Sequence, residues 1–204
     1  MNMDYNEIKN KLESPIENLL FESIFMSFAD GVSFRSQVQF GTICGIFRAD
    51  FVIEGFGRRI ALECDGKEFH NYRRDEWRNE MILGTGEVDW IYHFSGKDIN
   101  FRTEECAYIL ATQESWAFNE EAIASLRAKC SLNSPDLAIE LDETDCSHMG
   151  TLLFELEEES ERLDYPVVIR VERRSKNWEL RRYEFAKAAG GGNLDALMSQ
   201  RDDL

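Results

Sequence analysis

No stretch of this chain is apolar for the length of a bilayer, and none of its five cysteines stands in a C-x-x-C pair. The first absence excludes a membrane-spanning helix. The second, with the odd number and scattered placing of Cys44, Cys64, Cys106, Cys130 and Cys146, argues against a disulfide framework and against a zinc knuckle. The opening residues MNMDYNEIKNKLES carry no apolar signal region, so export by that route is not expected. A reducing, cytoplasmic setting follows. Basic residues are also scarce: 23 Lys and Arg stand against 39 Asp and Glu, a net charge of −16. Such acidity ordinarily speaks against nucleic acid as a partner.

The charge is segmented. Residues 1–102 hold 12 bases and 17 acids, whereas 136–164 hold eleven acids and Arg162 as their one base. Residues 165–187 reverse the sign, with seven bases against three acids. A local basic surface is therefore compatible with the acidic whole.

The informative stretch is FRADFVIEGFGRRIALECDGKEFH, residues 47–70. It reads as two strands joined by a Gly-containing turn. Strand alternation puts Phe47, Ala49, Phe51 and Ile53 on one face and Arg48, Asp50 and Val52 on the other. In the second strand Ile60, Leu62 and Cys64 oppose Arg59, Ala61, Glu63 and Asp65. A four-residue loop makes Glu63 the diagonal neighbour of Asp50; a six-residue loop sets the two directly opposite. Either register brings their Cβ atoms to about 4.5–8 Å. Like charges held that close are costly unless a cation neutralises them, and two carboxylates can share one Mg²⁺. The plainer reading is a solvated strand face protected by charge.

Ser14, Pro15 and Glu17 spell a helix start with a capping box, and the helix is expected to run to Phe28 with Ile16, Leu19, Leu20, Ile24 and Phe28 buried. Strands follow over about 34–40, 43–53 and 58–64. A helix is expected over 73–83 with Trp77 and Met81 in the core, then a strand over 88–94 and a helix over 98–116. Beyond 117, residues 120–129 read as helix, 131–150 as loop, 152–162 as helix, 166–172 as strand and 178–189 as helix, with the last dozen residues frayed. The order α-β-β-β-α-β-α describes an α/β mixed sheet flanked by helices. The division is a core over 1–116 and an acidic-then-basic α+β extension over 117–204, whose acidic part offers a surface for a protein partner.

The ordered motifs resemble the PD-(D/E)XK nuclease superfamily, and within it the very-short-patch-repair-like endonuclease branch, over roughly residues 14–101. They are Ser14-Pro15-x-Glu17, Gln37-Val38-Gln39, Ala49-Asp50-Phe51-Val52, Ala61-Leu62-Glu63-Cys64-Asp65-Gly66 with His70, and Asp75-x-x-Arg78. The resemblance implies a restriction-endonuclease-like fold with Mg²⁺ or Mn²⁺ held by Asp50, Glu63 and the Cys64 carbonyl. It implies a DNA endonuclease, or else a catalytically inactive module of the same fold that binds DNA or a protein. Asp65 occupies the place of the motif lysine, either as a third metal ligand or as a group orienting water. Lys67 is then a substitute cation, and His70 a general base or a phosphate contact. Glu17 either caps its helix or reaches the metal waters. Arg73, Arg74 and Arg78 would meet a DNA phosphate, against an intrahelical Asp75–Arg78 pair as the plainer reading.

Overall fold

In the computed structural model, residues 4–66, 72–130, 139–141, 150–154, 167–173 and 180–201 are described. Helix α1 (Tyr5–Lys9), capped by Asp4, precedes α2 (Pro15–Ile24), which a 3-10 turn over Phe25–Ser27 prolongs. The sequence signals act as expected at α2: Ser14 Oγ accepts from the Glu17 amide at 3.2 Å, and Pro15 opens the first turn. The buried stripe is rotated from the one expected. Glu17, Leu20, Phe21 and Ile24 face inward at i, i+3, i+4 and i+7, while Leu19 is 40% exposed. This rotation carries a carboxylate, Glu17, into the protein.

The strands β1 (Ser33–Thr42), β2 (Gly45–Gly55) and β3 (Arg58–Asp65) form an antiparallel meander. Helix α3 (Tyr72–Gly84) leads to β4 (Trp90–Ser95), which lies parallel to β3. Helices α4 (Gly96–Gln113) and α5 (Glu120–Lys129) follow. The chain beyond 130 then adds β5 (Ile139–Leu141), β6 (Gly150–Phe154) and β7 (Val167–Arg173), with α6 (Arg181–Ala188) and α7 (Leu194–Met198) last. The result is one seven-stranded mixed sheet of order β1-β2-β3-β4-β7-β6-β5, an α/β architecture flanked by helices. No helix among the described residues is long and apolar enough to cross a membrane.

The C-terminal segment completes the sheet, since β7 pairs antiparallel with β4 from Trp90 to Phe94. Alternation sorts β7. Val167, Ile169 and Val171 enter the core beneath α2 and α4, and Arg170 and Glu172 face the other way. That other face is covered by α3, against which α6 and α7 pack through Trp77, Met81, Ala186, Leu194, Leu197 and Met198. Three expectations fail in this region, the first being that residues 139–141 are strand, paired with β6, inside the loop expected over 131–150. Residues 150–154 are strand where a helix over 152–162 was expected; the apolar run Leu152-Leu153-Phe154 pairs with β7, and this long-range pairing overrides the local helical pattern. Residues 155–162 lie outside the described residues. The final turn is likewise ordered: Asn193 caps α7, its side chain accepting from the Ala196 amide at 3.0 Å.

The β2–β3 register is the one that sets Asp50 across from Glu63, because Ile53 pairs with Ile60 and Phe51 with Leu62. The pairing continues to Gly55 and Arg58, so the turn is only Phe56-Gly57, with φ of 51° and 75°. Positive φ at both positions matches a two-residue type I′ hairpin. Hydrogen-bonded pairing stops at Phe51–Leu62, and the strands part beyond it. The expected single-face alternation of β2 also breaks there. Phe51 and Ile53 join the core under α2 and α4, whereas Phe47 and Ala49 join the cluster under α3. On β1 the residue facing Asp50 is Gln37, held at φ 55°, and the same switch separates Phe34 from Phe40. A left-handed residue in mid-strand is uncommon for a non-glycine. Here it turns both strands over at one point and places Asp50 at the parting of β2 from β3.

Candidate active site at the parting of β2 and β3

Asp50 replaces a missing strand partner. Its Oδ2 accepts from the Cys64 amide at 2.8 Å, a bond that β2 would otherwise supply from its backbone. Opposite it, Glu63 is buried at the end of β3. Burial, and next the negative charge of Glu63, push the Asp50 carboxyl up to about 8, against the relief given by the Cys64 amide. Burial likewise raises Glu63, with Arg78 and His93 acting in the opposite sense. Glu17 is drawn into the same locality, and its charge adds to the upward pressure on Asp50. Three acidic side chains therefore converge, and burial opposes the ionisation of two of them, Asp50 and Glu63.

Glu17 serves the helix start and the site together. Its Oε2 accepts from the Glu13 amide at 3.1 Å and from Gln37 Nε2 at 2.8 Å. The other amide atom of that residue, Gln37 Oε1, is buried with no hydrogen-bond partner. The Cys64 thiol is raised well above its ordinary value by burial, as befits an inert sulfur.

Arg78 reaches the site from α3. Its Nη2 donates to Glu63 Oε1 at 2.6 Å and to the Arg48 carbonyl, and its Nη1 donates to Asn79 Oδ1 at 3.2 Å. Burial works against its charge, but Glu63 outweighs this and holds the guanidinium above its ordinary pKa. The Asp75–Arg78 helix pair is thus not what occupies this side chain.

Beyond Glu63 the polar cluster continues under α3. His93 Nδ1 lies 3.2 Å from Asp65 Oδ2, and its Nε2 lies 3.0 Å from Asn79 Nδ2. Asn79 Nδ2 donates to Glu172 Oε1 at 3.0 Å, and Arg170 stands 3.7 Å from Asp65 and 3.8 Å from Glu172. Burial raises the carboxyl of Glu172, which His93 and Arg170 counter.

The structure therefore gathers Glu17, Asp50, Glu63, Cys64, Asp65 and Arg78, but not the other two arginines. Arg73 Nη2 donates to the Met198 and Arg201 carbonyls at 2.8 and 2.9 Å, and Arg74 pairs with Asp195 at 3.1 Å, so both grip the C-terminal end of the chain. Lys67 and His70 lie outside the described residues. Sequence reasoning passed over His93, Asn79, Glu172 and Arg170. The available signal was alternation, which sets His93 opposite the aromatic face of β4 and Arg170 and Glu172 opposite the valines of β7. Among the described residues, no group of three His, Cys, Asp or Glu is arranged to hold a metal ion.

No family model and no curated protein sequence matches the chain. Among solved structures, the crystal structure of a protein of unknown function is similar, at 13% identity and a TM-score of 0.30. The likeness covers 39% of this chain and 46% of that one, so the chain spans less than half of that structure.

Proposed function

We propose that this chain is a metal-dependent endonuclease that hydrolyses DNA phosphodiester bonds, on a restriction-endonuclease-like core of the PD-(D/E)XK type. The observation that carries the reading is the closeness of Asp50 and Glu63, each one residue past the last β2–β3 pair, with the charge of Glu63 helping to raise Asp50 to about 8. Carboxylates forced together in this way are an unfinished charge balance that a divalent cation completes. The donor chemistry fits such an ion: two hard carboxylates, with the orphaned Gln37 amide oxygen nearby. Mg²⁺ suits one or two protein carboxylates, its remaining positions going to water and phosphate.

Bound Mg²⁺ or Mn²⁺ supplies a Lewis acid for the phosphoryl group and acidifies water. Asp50 and Glu63 would hold it, together with the carbonyl of Cys64, the residue that follows Glu63. Asp65, fixed by His93 and Arg170, orients water at the edge of the site. Lys67 and His70 follow it in sequence as cation and base. Glu17 and Gln37 hold one another on the β1 side of Asp50.

A second reading, a catalytically inactive module of the same fold, is favoured by one observation: Arg78 already neutralises Glu63. Incubation of supercoiled plasmid with Mg²⁺ or Mn²⁺, with EDTA and Glu63→Ala as controls, decides between them. Nicking that needs metal and disappears in the variant is the expected result. Binding without cleavage supports the module, and equal cleavage by Glu63→Ala removes the nuclease site from these residues.

A further inference from the structure

Arg78 stands where its charge and the charge of a metal ion exclude one another. Pairing of β2 with β3 ends at Phe51–Leu62, so past that point the Arg48 carbonyl has no partner on β3. The Arg78 guanidinium fills this gap. One nitrogen, Nη2, serves both the Arg48 carbonyl on β2 and Glu63 Oε1 on β3, the latter at 2.6 Å. The pair is largely desolvated, with side chains 16% and 9% exposed, so removing either partner would leave the other charge buried and uncompensated. Among the described residues, by contrast, no arginine or lysine pairs with the Asp50 carboxylate, which accepts from the Cys64 amide.

We propose that Arg78 is a latch: an internal counter-ion that occupies Glu63 in the metal-free protein and that a divalent cation must displace. This rests on the reading of Asp50 and Glu63 as the metal-holding pair. Two positive centres compete for the one negative charge of Glu63, so the latch weakens metal binding until the guanidinium swings away. Arg78 is a partly exposed side chain at the rim of the site, and once released it faces the position of a bound phosphate. It then provides the cation that Asp65, standing in the motif-lysine place, does not. A phosphodiester, by attracting the released guanidinium, favours metal uptake, so nucleic acid and metal bind with positive coupling.

The sign of one measurement separates a latch from a supporting residue. Removing a partner that supports a metal ligand lowers metal affinity by about 10–100-fold; removing a competitor raises it. Mn²⁺ binding to the full chain is measured by calorimetry at pH 8.5 and low salt, for wild type and for Arg78→Gln, whose amide can still donate to the Arg48 carbonyl. The expected result is affinity in Arg78→Gln higher by about tenfold or more. Equal or weaker affinity overturns the latch and leaves the nuclease reading standing. Uptake by neither protein overturns that reading as well. Should Arg78→Gln fail to fold, Mg²⁺ titration of wild type followed through the arginine side-chain ¹⁵N resonances gives the answer: displacement of the Arg78 signal is expected, and an unmoved signal refutes the latch.

Discussion

Replacing Asp50 by Asn tests the electrostatic account of the site through stability alone, with no cleavage assay. The change keeps an oxygen to accept the Cys64 amide and removes the ionisable group. In the folded chain Asp50 titrates at about 8, against 3.8 for the free side chain. Below the unfolded value both states hold the proton, and Asp50 costs nothing. As pH rises above it, the unfolded chain releases the proton while the folded chain keeps it, so stability falls with pH until about 8 and then levels. Each pH unit is worth up to about 1.4 kcal/mol, so the whole shift would amount to about 6 kcal/mol. Asp50 is only half-buried, and water relaxing around it reduces this to about 2–3 kcal/mol. Urea unfolding in EDTA at pH 5 and pH 8 is the assay. Wild type should lose about 1.5–2 kcal/mol more than Asp50→Asn across that interval, the part of the shift that lies between pH 5 and pH 8. Parallel curves would mean that Asp50 is ionised at neutral pH and that the unfinished charge balance does not exist.

Two further outcomes concern the scaffold. Arg182 Nη1 and Nη2 bind Glu80 and Glu76 at 2.6 Å each, and removing it strands a buried carboxylate at Glu80. Arg182→Ala should therefore cost about 3–5 kcal/mol in denaturant unfolding, and Glu80→Gln in the same chain should restore part of that loss. Phe56 is 68% exposed yet held at φ 51°. Phe56→Asn should raise stability by about 1 kcal/mol, and a lower melting temperature would show that its ring contributes more than its backbone costs.

The residues themselves explain how far the sequence could be read. Helix α5 was legible to the residue because Asn119, the acidic first turn and the basic last turn are all local signals. The register of β2 on β3 was narrowed to two choices by the apolar sets, and packing selects the one that pairs Ile53 with Ile60. The face switch at Gln37 and Asp50 was not legible, because a left-handed glutamine leaves no glycine to mark it. Asn79, His93, Arg170 and Glu172 belong to α3, β4 and β7, and only the sheet order brings them together. The intramolecular contacts of Arg73 and Arg74 were not legible for a similar reason: Asp195, Met198 and Arg201 lie more than a hundred residues later in the sequence.

The place of β7 beside β4 has a consequence for synthesis. Strand β4 ends at Ser95 and β7 begins at Val167, roughly seventy residues later. At 5–20 residues per second, the outer edge of β4 waits about 4–15 s on the ribosome for its neighbour. During that wait an apolar central strand, with Ile91, Tyr92 and Phe94, presents an unpaired edge of the kind that templates aggregation. The nascent chain should accordingly be a chaperone client between those two points. Folding yield should depend more on the translation rate across 96–166 than on any substitution within the first five elements. The same delay means that Arg170 and Glu172 reach the cluster after Asp65, Asn79 and His93.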